Sequence, residues 1–275
     1  MGQTSKVFLE NFVTPDYHTH TPLCKHAEGH PREYAAAAQR LGLPELGLSD
    51  HSPMREHFDD WRMEWAEFPQ YLEMVDEARA EFPALPIRLG LEVDYLEGGE
   101  SWIEELHRQA DFDYLIGAVH YLAPGWDVDN PKHISRFTDS SVEDIWTLYF
   151  RLYEKAIRTG FFDFMAHPDL PKKFGHRPAG DLRRFYEPVI QALSDTGTAF
   201  EINTAGLRKE CKEIYPAKKL LEMAFAAHVP ITFASDAHKP EEVGMNFTEA
   251  MALARSAGYN RTVIFKERRY EFVSF

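Results

Sequence analysis

The sequence predicts one α/β domain over residues 1–275, in which short parallel strands alternate with helices and close, or nearly close, into a barrel. Three observations lead there. Seven short apolar runs alternate with longer amphipathic stretches, and no low-complexity linker divides them. Histidines and carboxylates stand at the C-terminal ends of these runs, where β/α barrels build their sites. At least six of the seven runs contribute, whereas an open doubly wound sheet gathers ligands around one crevice. There is no Gly-x-Gly-x-x-Gly and no Walker A sequence, which lowers the dinucleotide and nucleoside-triphosphate readings.

In chain order the strand candidates are FVTPDYH (12–18), ELGLSDH (45–51), IRLGLEVDY (87–95), YLIGAVH (114–120), FFDFMAH (161–167), TAFEINTAG (198–206) and VPITFASDAH (229–238). Helical patterns fill Pro31–Gly42, Trp65–Phe82, Val142–Thr159, Asp181–Thr196, Ala217–Ala227 and Pro240–Ala257. Several open on Pro, Ser or Asp and close near Gly, as helix termini do. A last strand-like piece, TVIFKERRYEFV, ends the chain.

Composition sets the broad class. With 44% hydrophobic and 27% charged residues, the chain has ample material for a core. A net charge of −14 disfavours nucleic acid and anionic membranes as partners. It leaves room for a small anion if a local positive centre exists. No apolar run approaches the ~20 residues that span a bilayer. Residues 1–16 carry one lysine and no long apolar core, unlike a secretory signal. Two cysteines in unrelated contexts, Cys24 and Cys211, fit a reducing cytoplasm. Oligomeric state is open, with a homo-oligomer among the options.

Residues i and i+2 of a strand share a face. His18 and His20 can therefore grip one ion together, with Asp16 of the same parity available to orient a ligand. Asp236 and His238 repeat the spacing. Glu92 stands inside an otherwise buried run, His120 and His167 close apolar runs, His51 follows Asp50, and His26 lies on the loop after the first run. A lone strand-end histidine such as His120 is more often a hydrogen-bonded core residue than a ligand. Seven histidines and two carboxylates cannot all be packed cheaply, because each unpaired buried polar group costs ~1–3 kcal/mol. Metal ions are their natural partners. Nine ligands exceed one tetrahedral site and suit two or three ions with a bridging carboxylate.

The remaining histidines read as structural or unassigned. His107 and His228 fall in helical patterns, His30 precedes a proline at a helix start, and His57 and His133 lie in polar loops. Cys24 reads as a packing residue. Three divalent ions bring +6 and the two carboxylates return −2, so the centre attracts hydroxide and phosphate. Two loops offer basic residues for a phosphate pocket. HPDLPKKFGHR carries Lys172, Lys173, His176 and Arg177, and NTAGLRK carries Arg208 and Lys209. Lys172 and Lys209 fit ordinary solvent-facing roles better than Arg208 does.

The motifs DYHTH, SDHS, GLEVDY, GAVH, MAHPDL and SDAH resemble, in order, those of the PHP (polymerase and histidinol phosphatase) metal-dependent phosphoesterases. HTPLCKHAEGH, DLPKKFGHR, NTAGLRK and SDAHKPEEVG are closer still to the monofunctional histidinol-phosphate phosphatases. The resemblance implies a distorted (β/α)7 TIM-like barrel with three divalent ions, zinc, iron or manganese. It implies that His18, His20, Glu92 and Asp236 hold the first. Glu92 would bridge to a second ion held by His120 and His167, and His26, His51 and His238 would hold a third. The implied reaction is hydrolysis of L-histidinol phosphate in histidine biosynthesis, by a metal-bridging hydroxide attacking phosphorus. Arg177 and Arg208 would bind phosphate, Lys173 and His176 would complete the substrate contacts, and Asp236 or His238 would assist the leaving group. Asp94, Glu97 and Ser52 are weaker candidates for the substrate's imidazole and amine. Two competing readings remain: a PHP-type nuclease or other phosphoesterase, and a metal-binding module without catalysis.

Overall fold

The computed structural model describes residues 14–275. The leader reading of the N-terminus and the first two residues of FVTPDYH therefore lie outside the described residues. The strands are β1 (Leu46–Leu48), β2 (Ile87–Leu89), β3 (Glu92–Asp94), β4 (Ile116–Ala118), β5 (Tyr121–Ala123), β6 (Trp126–Asp127), β7 (Phe164–Met165), β8 (Ala199–Asn203), β9 (Ile231–Ala234), β10 (Arg261–Lys266) and β11 (Arg269–Ser274). The helices are α1 (Pro31–Leu41), α2 (Phe68–Glu81), α3 (Glu100–Leu106), α4 (Arg136–Asp139), α5 (Val142–Arg158), α6 (Arg183–Thr196), α7 (Lys218–Ala226) and α8 (Phe247–Ala257).

Strand β1 pairs in parallel with β2, and β3-β4-β7-β8-β9 form a parallel sheet in that order. Residues 16–20 join the two ends. Asp16 bridges Leu46 on one side and Thr19 bridges Ala237 on the other, both in parallel. Gly47 N donates to Asp16 O at 2.7 Å, and His20 N to Ala237 O at 2.9 Å. Hydrogen-bonded neighbours thus run from 16–20 through β1, β2–β3, β4, β7, β8 and β9 back to 16–20. The ring is irregular at its first member, where isolated bridges replace a ladder.

Asp16 explains that seam. Its carboxylate accepts from Ser235 N (2.9 Å), Ser235 Oγ (2.5 Å) and Gly244 N (2.9 Å). Asp16 was expected to orient a ligand ring. Instead it ties the first run to the last, and burial pushes its carboxyl up.

Side chains alternate along each strand. Leu115, Val119, Phe200 and Ile202 pack outward with the helices. Tyr17, Tyr114, Ile116, Ala118, Phe164 and Phe265 fill a separate core. Tyr114 crosses this space, and a Cβ at Gly47 or Gly90 would collide with its ring, so both positions need glycine. Its hydroxyl donates to Tyr17 O at 2.7 Å. Helix α1 shows how the helices are punctuated: Pro31 is its first residue, His30 and Glu33 form a capping box, and Gly42 closes it in left-handed conformation.

Three departures from the sequence reading have local causes. Arg269–Ser274 folds back on Arg261–Lys266 as an antiparallel hairpin, where one strand-like piece was expected. The turn residues Glu267 and Arg268 have φ of 51° and 62°, without the Asn-Gly signal such turns usually show. Their amides are held by Asp113. The pattern at Pro240–Ala257 breaks at Gly244 (φ 64°), and the helix starts at Phe247. Helices α3 and α4 and the β5–β6 pair are short insertions that no periodicity announced. Among the described residues no helix is long and apolar enough to cross a membrane.

Candidate metal centre

The nine predicted ligands converge at the C-terminal ends of the parallel strands. Glu92, at the start of β3, is their centre and is almost fully buried. Its Oε2 lies 2.8 Å from His51 Nδ1, 3.4 Å from His18 Nε2 and 3.9 Å from His20 Nε2. Its Oε1 lies 2.9 Å from His167 Nε2 and 3.5 Å from His120 Nε2. Asp236 Oδ1 stands 3.3 Å from His20 Nε2 and 3.9 Å from His18 Nε2. At the rim, His26 Nε2 and His238 Nε2 are 2.9 Å apart. Ligand atoms bound ~2.0–2.1 Å from one tetrahedral ion are separated by about 3.4 Å, the range found among these atoms.

The strand ends aim these side chains. His120 follows β4 with the parity of Ile116 and Ala118. His167 and Asp236 follow β7 and β9 with φ of 22° and 53°, left-handed conformations that cost free energy and cluster at functional sites. They turn each side chain out of the strand's alternation.

The charge balance asks for cations. Burial opposes ionisation of Glu92, yet His18, His51 and His120 hold its carboxyl well below the usual range. Burial likewise disfavours charge on His18, but Glu201, Glu92 and Asp236 drive it well above an ordinary imidazole. His120 is raised to about 10 by Asp94 and Glu92 against burial. At the rim the balance reverses: burial and neighbouring imidazoles lower His51 to about 4 and also lower His26 and His238. A lowered imidazole favours the neutral form, which is the metal-binding one. Burial without hydrogen-bond partners is the direct test of fit. His18 Nε2, both nitrogens of His20, His51 Nδ1, His167 Nδ1 and Glu92 Oε2 are all buried and make no well-aligned hydrogen bond, although several lie 2.8–3.9 Å from an opposite charge. Four overlapping groups of these residues have ligand atoms within 4.8 Å of one another, one of them including Cys24. The donors are imidazole and carboxylate, the set that suits zinc, iron or manganese.

The PHP domain family model matches residues 16–205. The chain belongs to the PHP domain family. It is 40% identical over 258 residues to a Deinococcus radiodurans protein named "Probable histidinol-phosphatase", covering 93% of this chain and 98% of that protein. It is 28% identical to the "Histidinol-phosphatase" of Bacillus subtilis, covering 83% of this chain and 95% of that protein. Among solved structures it superposes on a histidinol phosphate phosphatase of Lactococcus lactis complexed with zinc, L-histidinol and phosphate. That match has a TM-score of 0.81 at 22% identity and covers 94% of this chain and 98% of that one. The PHP fold expected from the sequence is therefore the fold observed.

Above the PHP ligand cluster opens a cavity of about 500 Å³, a size that suits a small molecule. The basic loops meet it unevenly. Lys173 lines it, with Nζ 2.9 Å from Asp129 Oδ2. Lys209, expected to face solvent, also lines it. Arg208 is not on the cavity wall; it stands behind Asp236, which is. Its Nη2 donates to Ser235 O (2.8 Å) and Asp236 O (3.0 Å), while the buried Nη1 has no partner. Arg177 and His176 are not on the cavity wall. Arg177 pairs with Glu213, and the His176 ring stacks on Phe137 at 4.7 Å. Lys172 is fully buried, donating to Ile214 O at 2.8 Å and lying 3.1 Å from Asp169. His30 caps α1 as expected.

Sequence reasoning missed the carboxylates behind the rings. Glu201 Oε2 lies 2.9 Å from His18 Nδ1, and Asp94 Oδ1 2.9 Å from His120 Nδ1. Asp50 Oδ1 lies 3.5 Å from His20 Nδ1. Asp94, a weak candidate for substrate, stands behind the His120 ring. Glu201 had a visible signal: like Glu92, it interrupts an apolar run, between Phe200 and Ile202. Trp61, Asp127 and Asp129 of the cavity wall had none, because Trp61 and Asp129 come from irregular segments and Asp127 from the two-residue strand β6.

Proposed function

We propose that this PHP chain is a metal-dependent phosphomonoesterase that hydrolyses L-histidinol phosphate to L-histidinol and inorganic phosphate. The carrying observation is the Glu92-centred cluster of seven histidines and two carboxylates beneath a cavity sized for a small substrate. The histidinol-phosphatase names of the relatives, one of them 40% identical, and the small ligands of the Lactococcus lactis structure support the substrate. His18, His20, Glu92 and Asp236 would hold one ion, Glu92 with His120 and His167 a second, and His26, His51 and His238 a third. Bound divalent ions supply positive charge for phosphate oxygens and acidify water.

The chain's own groups do the rest. Glu92 supplies shared negative charge at the centre. Arg208 Nη1 and the ammonium groups of Lys173 and Lys209 offer donors to phosphate. Asp236 and His238, which line the cavity, would assist departure of the leaving oxygen. Asp127 and Asp129 put acid on the same wall, which suits a cationic substrate tail. Cys24 and Cys211 are both unpaired, consistent with the proposed cytoplasmic setting.

The test is phosphate release from histidinol phosphate by the full chain, beside a panel of other phosphomonoesters and labelled single-stranded DNA. Turnover should favour histidinol phosphate, vanish with chelator and return with manganese, zinc, iron or cobalt. Efficient hydrolysis of other monoesters without histidinol phosphate would overturn the substrate. Stepwise shortening of the DNA would favour the nuclease reading. An inert metal-loaded protein would favour a metal-binding module.

A further inference from the structure

Arg62 is the largest fully buried cation among the described residues, 1% exposed. It belongs to an irregular segment between β1 and α2, where periodicity gives no reason to bury charge. Each nitrogen of its fork donates: Nε to Asp59 Oδ2 at 2.8 Å, Nη1 to Ser52 O at 3.2 Å and Nη2 to Asp94 Oδ2 at 2.8 Å. The other oxygen of Asp94 accepts from His120 N at 3.2 Å and lies 2.9 Å from His120 Nδ1. His120 Nε2 faces Glu92 at 3.5 Å. A continuous chain therefore runs Asp59–Arg62–Asp94–His120–Glu92.

Two comparisons single this chain out. Glu201 behind His18 is held by Asn203 Nδ2 (2.6 Å) and His167 N (2.8 Å). Asp50 is held by Thr21 and by His51 N (2.8 Å). Those supports are neutral amides and a hydroxyl. Only Asp94 is backed by a cation. Buried ion pairs are weak sources of stability, since apolar replacements of similar volume often do as well. A planar fork does what an apolar group cannot: it fixes the orientation of a carboxylate. Arg62 also lies 4.7 Å from the ring of Trp61. That ring lines the cavity and stands 4.8 Å from His51 and 5.7 Å from His120.

We propose that Arg62 is a positioning residue: acting through Asp94, it fixes the His120 ring toward Glu92 and so sets how tightly that end of the centre holds its ion. The proposal rests on the metal-centre reading. Groups that orient metal-bound imidazoles typically change affinity by about 10–100-fold when removed.

The test uses the full chain loaded with zinc or manganese and titrated against a chromophoric chelator, below the melting temperature of every variant. Arg62→Met should weaken one ion about 10–100-fold and leave the others as in the parent. Arg62→Lys should recover part of the loss, since an ammonium can meet Asp94 but cannot span Asp59 and Ser52 as well. Asp94→Asn should give a similar loss, and the double variant no more than Asp94→Asn alone. With cobalt, Arg62→Met and Asp94→Asn should perturb the visible spectrum alike. Should Arg62→Met and Arg62→Lys melt lower yet bind every ion as the parent does, Arg62 is only a staple for its segment. Additive losses in the double variant would also overturn the proposal. A parent protein that holds no ion would sink the metal centre itself, which is a different failure.

Discussion

The deep and outer ends of the ligand cluster are built by different means. At the deep end His18, His20 and His120 are buried, and each has a carboxylate on its far nitrogen: Glu201, Asp50 and Asp94. At the outer end His26 is exposed and His238 is partly so. His26 Nδ1 faces a backbone carbonyl instead, at 2.7 Å from Cys24 O, while His238 Nδ1 lies 3.2 Å from Asp236 O and 3.5 Å from the carboxylate of its near neighbour Asp236. A carboxylate makes an imidazole a stronger base and locks its tautomer more firmly than a neutral carbonyl does. Solvent also reaches the outer rings. The contrast implies a firmly held interior and a more labile mouth, where substrate and product must pass.

The largest expected effect comes from Glu92, which five of the cluster's seven histidines face. Glu92→Ala should lower phosphate release at least about 100-fold, because it strips a buried charge network of its centre. Elemental analysis should show fewer ions per chain. Full occupancy in this variant would mean that Glu92 is not a ligand. Graded chelation tests the contrast itself. One ion should leave first with the rest retained, and a single concerted loss would break the distinction. Complete removal should lower the melting temperature by about 10 °C, if ions present at ~1,000 times their Kd add ~4 kcal/mol.

Single histidines sharpen it further. His18→Ala should cost more ions per chain than His26→Ala, and a reversed order would place the firmly held end at the mouth. Arg208→Ala should reduce kcat/KM about 10–100-fold, the worth of a charged hydrogen bond, with the ions in place. Lost ions would show instead that its main task is to hold the backbone of Asp236. Arg177→Ala should change kcat/KM least, by less than about threefold, because its pair with Glu213 is solvent-exposed and off the cavity wall. A large KM effect would return Arg177 to the phosphate pocket.

The residues of the cluster were legible because each breaks a pattern: a carboxylate inside an apolar run, a histidine closing one, two histidines two residues apart. Local periodicity marks such residues whatever surrounds them. Glu201 broke the same pattern in the same way, and only the structure shows that it stands one layer behind. The basic loops were legible as loops. Their six candidates, Lys172 to Arg177 with Arg208 and Lys209, could not be sorted by sequence. An arginine or lysine is long enough to reach the cavity, a neighbouring carboxylate or a backbone carbonyl, and tertiary neighbours alone choose among these.

By itself the sequence determined the alternation of strands and helices, the end of the strands that carries chemistry, and the residue types gathered there. Those follow from side-chain parity and apolar spacing, which act over a few residues. Tertiary structure decided everything that depends on partners distant in the chain. It tied Asp16 to Ser235 and Gly244, more than two hundred residues away. It buried Arg62 behind Asp94 and His120, and it tied Arg177 to Glu213 rather than to the cavity. A buried charge is stable only where opposite charge or hydrogen-bond partners meet it, and whether they do is a property of the folded chain.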